Sequence, residues 1–158
     1  MCEPAKIRKS SFSLGAVLGW EESCSINMAT LLVVEDSRPL RVMMKRMFVE
    51  AGFDVIDVGD GEAALQSACD SKPDLIILDL LLPKMGGEVL LRALKQDSAT
   101  AGIPVIVVSS LPQSNAERLQ REGAIAYIEK SKLDLTTGGT NLVRLVNAAL
   151  RKKPQPTS

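Results

Sequence analysis

The sequence predicts an α/β domain: five parallel strands in one doubly wound sheet, order 2-1-3-4-5, with helices on both faces. Three observations predict it. Strand and helix patterns alternate five times between residues 29 and 150, an alternation that yields a parallel sheet with helical crossovers. The first, third and fourth strand segments are almost wholly apolar, as strands covered on both faces are. The first and third of these run directly into carboxylates, Glu35-Asp36 and Asp79.

The elements follow in order. The first strand is Thr30–Val34. Pro39 suits the first turn of the first helix after a Ser or Asp cap. Leu40, Met43, Met44, Met47 and Phe48 recur there at helical spacing, and Gly52 ends the helix. The second strand, Asp54–Val58, carries Asp54 and Asp57, which places it at an edge. Asp60 can cap a second helix bearing Ala64, Leu65, Ala68 and Cys69, which stops before Pro73. The third strand spans 75–79. The third helix, Gly87–Gln96, turns Leu90, Leu91 and Leu94 inward. The fourth strand is Val105–Ser109, and the helix after it spans about 114–122 with Ala116 and Leu119 inward. The fifth strand, 126–128, meets Glu129-Lys130 and forms the other edge. The last helix shows Leu142, Leu145, Val146, Ala149 and Leu150, and Pro154 bars its continuation. This strand order is flavodoxin-like. It makes the first and third strands neighbours whose helices leave on opposite faces, so a crevice opens at their carboxyl ends.

Composition bounds the function. The 158 residues suit one domain with modest extensions. We expect residues 1–28 to be a disordered extension, 29–151 the domain and 152–158 a disordered tail. The apolar stretch around Leu14 and Val17 follows Lys6, Arg8 and Lys9 but is broken by Ser and Gly and shows no clear cleavage site. Nineteen basic and nineteen acidic residues balance, so charge supplies no reason to propose nucleic acid or an anionic membrane as partner. No apolar run approaches the roughly 20 residues that span a bilayer. The chain has no histidine, which excludes a Ser-His-Asp or Cys-His triad, a His-ligated zinc and an internal phosphohistidine. Cys2, Cys24 and Cys69 are odd in number and lack CxxC spacing. They read as reduced thiols of a cytoplasmic protein.

Glu35, Asp36 and Asp79 converge on the crevice. Three carboxylates at close range repel, so one stays protonated or a cation binds. Oxygen ligands favour Mg²⁺, which would leave Asp79 ionised and able to attack phosphorus. Ser109 ends the fourth strand with a hydroxyl, and Lys130 follows the fifth with a mobile cation. Each residue alone has an ordinary explanation: Asp36 as a helix cap, Ser109 as a turn former, Lys130 as a solvated charge, Tyr127 as packing. Asp79 resists one, because an unpaired carboxylate at the end of a buried strand is costly. Together they occupy the carboxyl ends of the first, third, fourth and fifth strands.

Four segments carry a resemblance. Leu31-Leu32-Val33-Val34-Glu35-Asp36-Ser37, the stretch from Leu75 through Asp79 and Pro83 to Gly87, Ile103-Pro104-Val105-Ile106-Val107-Val108-Ser109-Ser110, and Gly123-Ala124-Ile125-Ala126-Tyr127-Ile128-Glu129-Lys130 resemble the motifs of response-regulator receiver domains of two-component signalling. The resemblance implies that Asp79 accepts a phosphoryl group from a sensor histidine kinase or phosphotransfer protein. It assigns Mg²⁺ to Asp36, Asp79 and the Leu81 backbone carbonyl, with Glu35 holding metal-bound water. Ser109 and Lys130 would bind the phosphoryl group. Movement of Ser109 would let Tyr127 turn inward and alter the face formed by the fourth helix, fifth strand and fifth helix, where a downstream protein docks. The chain would be a switch or relay and not an enzyme beyond its own phosphotransfer and slow self-dephosphorylation, with no direct contact to nucleic acid or membrane.

Two positions depart from the family pattern. Ser131 stands where Pro is common, which would leave the lysine's backbone less fixed. Gly86-Gly87 replaces the usual Asp-Gly, which would loosen that loop with little effect on chemistry. Competing readings are weaker. A haloacid-dehalogenase-like phosphatase needs a second acid where Leu81 stands. A flavodoxin needs a phosphate-cradling loop where Glu35-Asp36 would repel the ligand. A pseudo-receiver would keep the fold without phosphorylation, and the intact set of five residues argues against it.

Overall fold

A computed structural model describes residues 28–134 and 139–152. The expected extension and tail fall outside these, apart from Met28 and Lys152. The elements are β1 (Thr30–Val34), α1 (Arg38–Glu50), β2 (Asp54–Val58), α2 (Gly61–Ser71), β3 (Leu75–Leu78), α3 (Gly87–Gln96), β4 (Val105–Ser109), α4 (Ala116–Arg121), β5 (Ala126–Glu129) and α5 (Thr140–Lys152). The strands pair in parallel in the order β2-β1-β3-β4-β5. This is the order that strand composition predicts.

Strand alternation builds two cores, one on each face. Leu32, Val34, Ile76, Leu78, Val105 and Val107 point to one side, against Ala64 and Ala68 of α2, Leu90, Leu91 and Leu94 of α3, and Leu119 of α4. Leu31, Val33, Leu75, Ile77, Ile106 and Val108 point to the other, against Met44 and Phe48 of α1 and Leu142 and Val146 of α5. Residues of opposite parity serve opposite layers, as the period of a strand demands. Truncating any of the large buried side chains to Ala should cost about 2–5 kcal/mol. Since α1 lies on one face and α3 on the other, the carboxyl ends of β1 and β3 are left uncovered between them.

Local chemistry sets the helix starts. Asp60 adopts extended backbone and its carboxylate accepts the Ala63 N–H at 2.8 Å, the expected cap of α2. Ser37 precedes α1 without a side-chain cap bond, and Pro39 sits in the first turn. The helix expected at 114–122 divides: a 3-10 turn at Gln113–Asn115 leads into the short α4. The Gln113 N–H bonds the Glu129 carboxylate at 2.9 Å, a long-range partner that no local pattern announces.

Three side chains add to what the sequence reading gives. Met43 is 38% exposed, so the buried stripe of α1 is the narrower set Met44, Met47 and Phe48. Asp57, on the edge strand β2 as expected, forms an ion pair with Arg41 at 3.3 Å and accepts a hydrogen bond from Lys45 at 2.7 Å. Cys69 is buried in α2 as expected but is disulfide-bonded, which corrects its reading as a reduced thiol. Spacing along the chain does not report proximity in space, and the absence of CxxC therefore misled. Among the described residues no helix is long and apolar enough to cross a membrane.

Candidate functional site

The pocket is assembled by strand register. Val34 lies opposite Leu78 across the β1–β3 pair, and the Asp79 N–H continues the ladder to the Val34 carbonyl at 2.9 Å. Glu35 and Asp79 therefore leave adjacent strands at the same level. Ser109 lies opposite Glu129 at the end of β4–β5, so the next residue, Lys130, enters from the far side. Carboxylate oxygens of Glu35, Asp36 and Asp79 lie within 4.8 Å of one another. Glu35 and Asp79 are each 2% exposed, whereas Asp36 is exposed.

The Lys130 ammonium occupies this cluster. Its Nζ lies 2.7 Å from Glu35 Oε2 and 2.8 Å from Asp79 Oδ2. Burial raises the Glu35 carboxyl above its ordinary value, and the hydrogen bond from Lys130 opposes that rise. Burial would lower the Lys130 ammonium, but its bonds to Asp79 and Glu35 overcome this and hold it above the ordinary lysine value. The second oxygen of each carboxylate is bonded locally: Glu35 Oε1 accepts the Ser37 N–H at 3.1 Å and Asp79 Oδ1 accepts the Leu81 N–H at 3.2 Å. A 3-10 turn at Lys130–Lys132, closed by the Leu133 N–H on the Lys130 carbonyl at 3.1 Å, holds the lysine's backbone.

The loop after β3 shows that the paired glycines differ. A Cβ on Gly87 would lie 2.3 Å from the Asp79 carbonyl oxygen and 2.5 Å from Leu80 Cα, whereas one on Gly86 would meet nothing within 4 Å. The Gly87 N–H also bonds the Leu80 carbonyl at 3.0 Å. The start of α3 is therefore packed onto the backbone of Asp79 at Gly87, while Gly86, where the family commonly has Asp, precedes α3 without a side-chain cap bond.

Ser109 ends β4 and Tyr127 lies in the neighbouring β5. Ser109 is fully buried, and its Oγ accepts the Leu111 N–H at 3.3 Å. Tyr127 is 7% exposed and its hydroxyl donates to the Leu111 carbonyl. Burial pushes the Tyr127 phenol up, opposed by a hydrogen bond from Ser109. The ring already faces inward here, where the resemblance expected that to follow movement of Ser109. Leu111 packs on the α2–α3–α4 side of the core, while Leu81 is 53% exposed.

Arg41 was missed by sequence reasoning. Its Nη1 donates to the Glu35 backbone carbonyl at 2.8 Å from the first turns of α1. The available signal was Gly59, a small residue just past β2 where the guanidinium lies.

The donor set suits a hard cation: three carboxylates, two of them deeply buried, with a single ammonium offsetting them. Fold and pocket define an α/β domain with an acidic, lysine-bridged site at the switch point of its sheet. The profile of the response regulator receiver domain matches residues 31–136, and the chain belongs to this family, the receivers of two-component signal transduction. It is 35% identical over 102 residues to the phosphate regulon transcriptional regulatory protein PhoB of Pseudomonas aeruginosa, covering 64% of this chain and 44% of that protein. It is 38% identical over 101 residues to the DNA-binding response regulator MtrA of Mycobacterium tuberculosis, covering 63% and 43%. The chain spans less than half the length of these curated relatives. Among solved structures, the receiver domain of the Francisella response regulator 1452 superposes with a TM-score of 0.71 at 26% identity, covering 78% of this chain and 98% of that one. The chemotaxis response regulator CheY4 of Vibrio cholerae does so with 0.67 at 27%, covering 75% and 98%.

Proposed function

We propose that the chain is a phosphorylation-dependent switch or relay in which Asp79 takes a phosphoryl group from the phosphohistidine of a partner kinase or phosphotransfer protein. An Asp79 carboxylate oxygen forms the bond to phosphorus as the phosphorus–nitrogen bond breaks, and the imidazole leaves with the electron pair. The observation that carries this reading is the position of Asp79: a 2% exposed carboxylate at the end of a buried strand, between two other acids and one lysine.

Asp36, Asp79 and the Leu81 carbonyl would hold Mg²⁺, with Glu35 beside them. The ion supplies positive charge that offsets the incoming phosphoryl group. Lys130 then shifts from the carboxylates toward a phosphoryl oxygen, since its ammonium is mobile on a four-carbon stem. Ser109 supplies a hydroxyl donor to another oxygen. Leu111 links this change outward, because it bonds Ser109 through its N–H and Tyr127 through its carbonyl. The responding surface is the face of α4, β5 and α5, where a downstream protein partner docks.

Labelling with acetyl phosphate tests the proposal. Wild type should become labelled only with Mg²⁺, and Asp79→Asn should not label while keeping its fold by circular dichroism. Undiminished labelling of Asp79→Asn would refute the assignment.

A further inference from the structure

We propose that Arg41 is a positioning residue for the acidic pocket, fixing the peptide that aims Asp36 at the metal; the inference rests on the Mg²⁺ reading above. The Glu35 carbonyl and the Asp36 N–H belong to one rigid peptide plane. Arg41 Nη1 grips that carbonyl at 2.8 Å. On its other side the plane is preceded by the Glu35 N–H, held by the Val58 carbonyl at 3.1 Å. The rotation of the plane is thereby set, and with it the direction in which the exposed Asp36 side chain leaves the backbone.

Arg41 is itself held at two further points. Its Nε lies 3.3 Å from Asp57 Oδ2 on β2, and both side chains are mostly buried, at 20% and 23% exposed. Its head lies over Gly59, where a Cβ would fall 2.6 Å from Nη1 and 3.5 Å from Cζ. The Arg41 N–H bonds the Ser37 carbonyl at 2.8 Å, which ties the start of the helix to the same loop. A planar fork can give one nitrogen to a carboxylate and another to a carbonyl, which a single ammonium at the end of a flexible stem does not reproduce. Among the described residues Asp36 has no such clamp of its own, so the backbone beneath it sets its aim.

Charge and geometry predict opposite signs. Removing a cation near an acidic pocket should, by Coulomb's law alone, tighten Mg²⁺. Removing a positioning group should weaken it, by about ten- to a hundredfold for partners that orient metal ligands.

The experiment measures the Mg²⁺ concentration at half-maximal thermal stabilisation in wild type, Arg41→Gln, Arg41→Lys and Gly59→Ala, and acetyl phosphate labelling at saturating Mg²⁺. Gly59→Ala displaces the guanidinium without changing any charge, and decides the matter if either Arg41 variant fails to fold. Half-saturation should rise in all three variants by about tenfold or more, with labelling close to wild type once Mg²⁺ saturates. Unchanged or tighter Mg²⁺ binding in Gly59→Ala, or in a folded Arg41→Lys, would overturn the role of Arg41 while leaving the metal site intact. A wild type that shows no Mg²⁺ shift would remove the metal reading and this inference with it.

Discussion

Lys130 Nζ lies 2.8 Å from Asp79 Oδ2, across 51 residues of sequence, and the same ammonium reaches Glu35 Oε2 at 2.7 Å. One cation therefore offsets two buried carboxylates. A group held by two buried partners links the stability of the domain to the charge of its pocket.

Lys130→Met should destabilise the metal-free domain by about 3 kcal/mol at neutral pH, because two buried anions lose their shared partner. The pH dependence has a definite sign. Burial raises Glu35 above its ordinary value of 4.5, so the protonated form suits the folded state. A group raised on folding contributes its full stability below its unfolded value and loses it as pH rises through the folded value. Without Lys130 the rise is larger, so the deficit of the variant should shrink as pH falls toward 4.5. Urea unfolding at several pH values measures this; a deficit that grows on acidification would contradict the bridge.

Mg²⁺ should raise the melting temperature of wild type by relieving carboxylate repulsion. Each tenfold excess over the dissociation constant adds about 1.4 kcal/mol by linkage. Asp36→Ala should lose most of that gain. Equal stabilisation of the two proteins would refute Asp36 as a ligand.

The two glycines after Met85 should behave differently. Gly87→Ala forces a methyl group against the backbone of Asp79 and Leu80, and should cost about 1–3 kcal/mol and slow labelling at Asp79. Gly86→Ala meets open space and should change neither. Chemical denaturation with acetyl phosphate kinetics checks both, and similar behaviour of the two variants would show that α3 does not brace Asp79.

The phosphorylated state should be long-lived. Hydrolysis needs a water in line with phosphorus, opposite the Asp79 oxygen. Leu81 and Leu111 stand two residues beyond Asp79 and Ser109, and neither can orient a water by hydrogen bonding. A double variant with polar residues at both positions should lose its aspartyl phosphate several-fold faster than wild type. Rapid decay of wild type, or equal decay of the two, would count against this.

The sequence alone determined the sheet order and the members of the pocket. Strands covered on both faces must be apolar and edge strands need not be, so composition ranks the strands. In a doubly wound sheet, the residue after each strand is delivered to one end of the domain, so position in the chain suffices to place Glu35, Asp79, Ser109 and Lys130 together. Only the tertiary structure decided where side chains point once there. That Lys130 spans Asp79 and Glu35, that Tyr127 lies inward on Leu111, that Gly87 and not Gly86 abuts Asp79, and that Arg41 clamps the Glu35 carbonyl are contacts between distant segments. Periodicity reports which face of an element is buried. It carries no information about the rotamer a long cation adopts or the atoms it meets across the fold, because those depend on the relative placement of separate elements within ångströms.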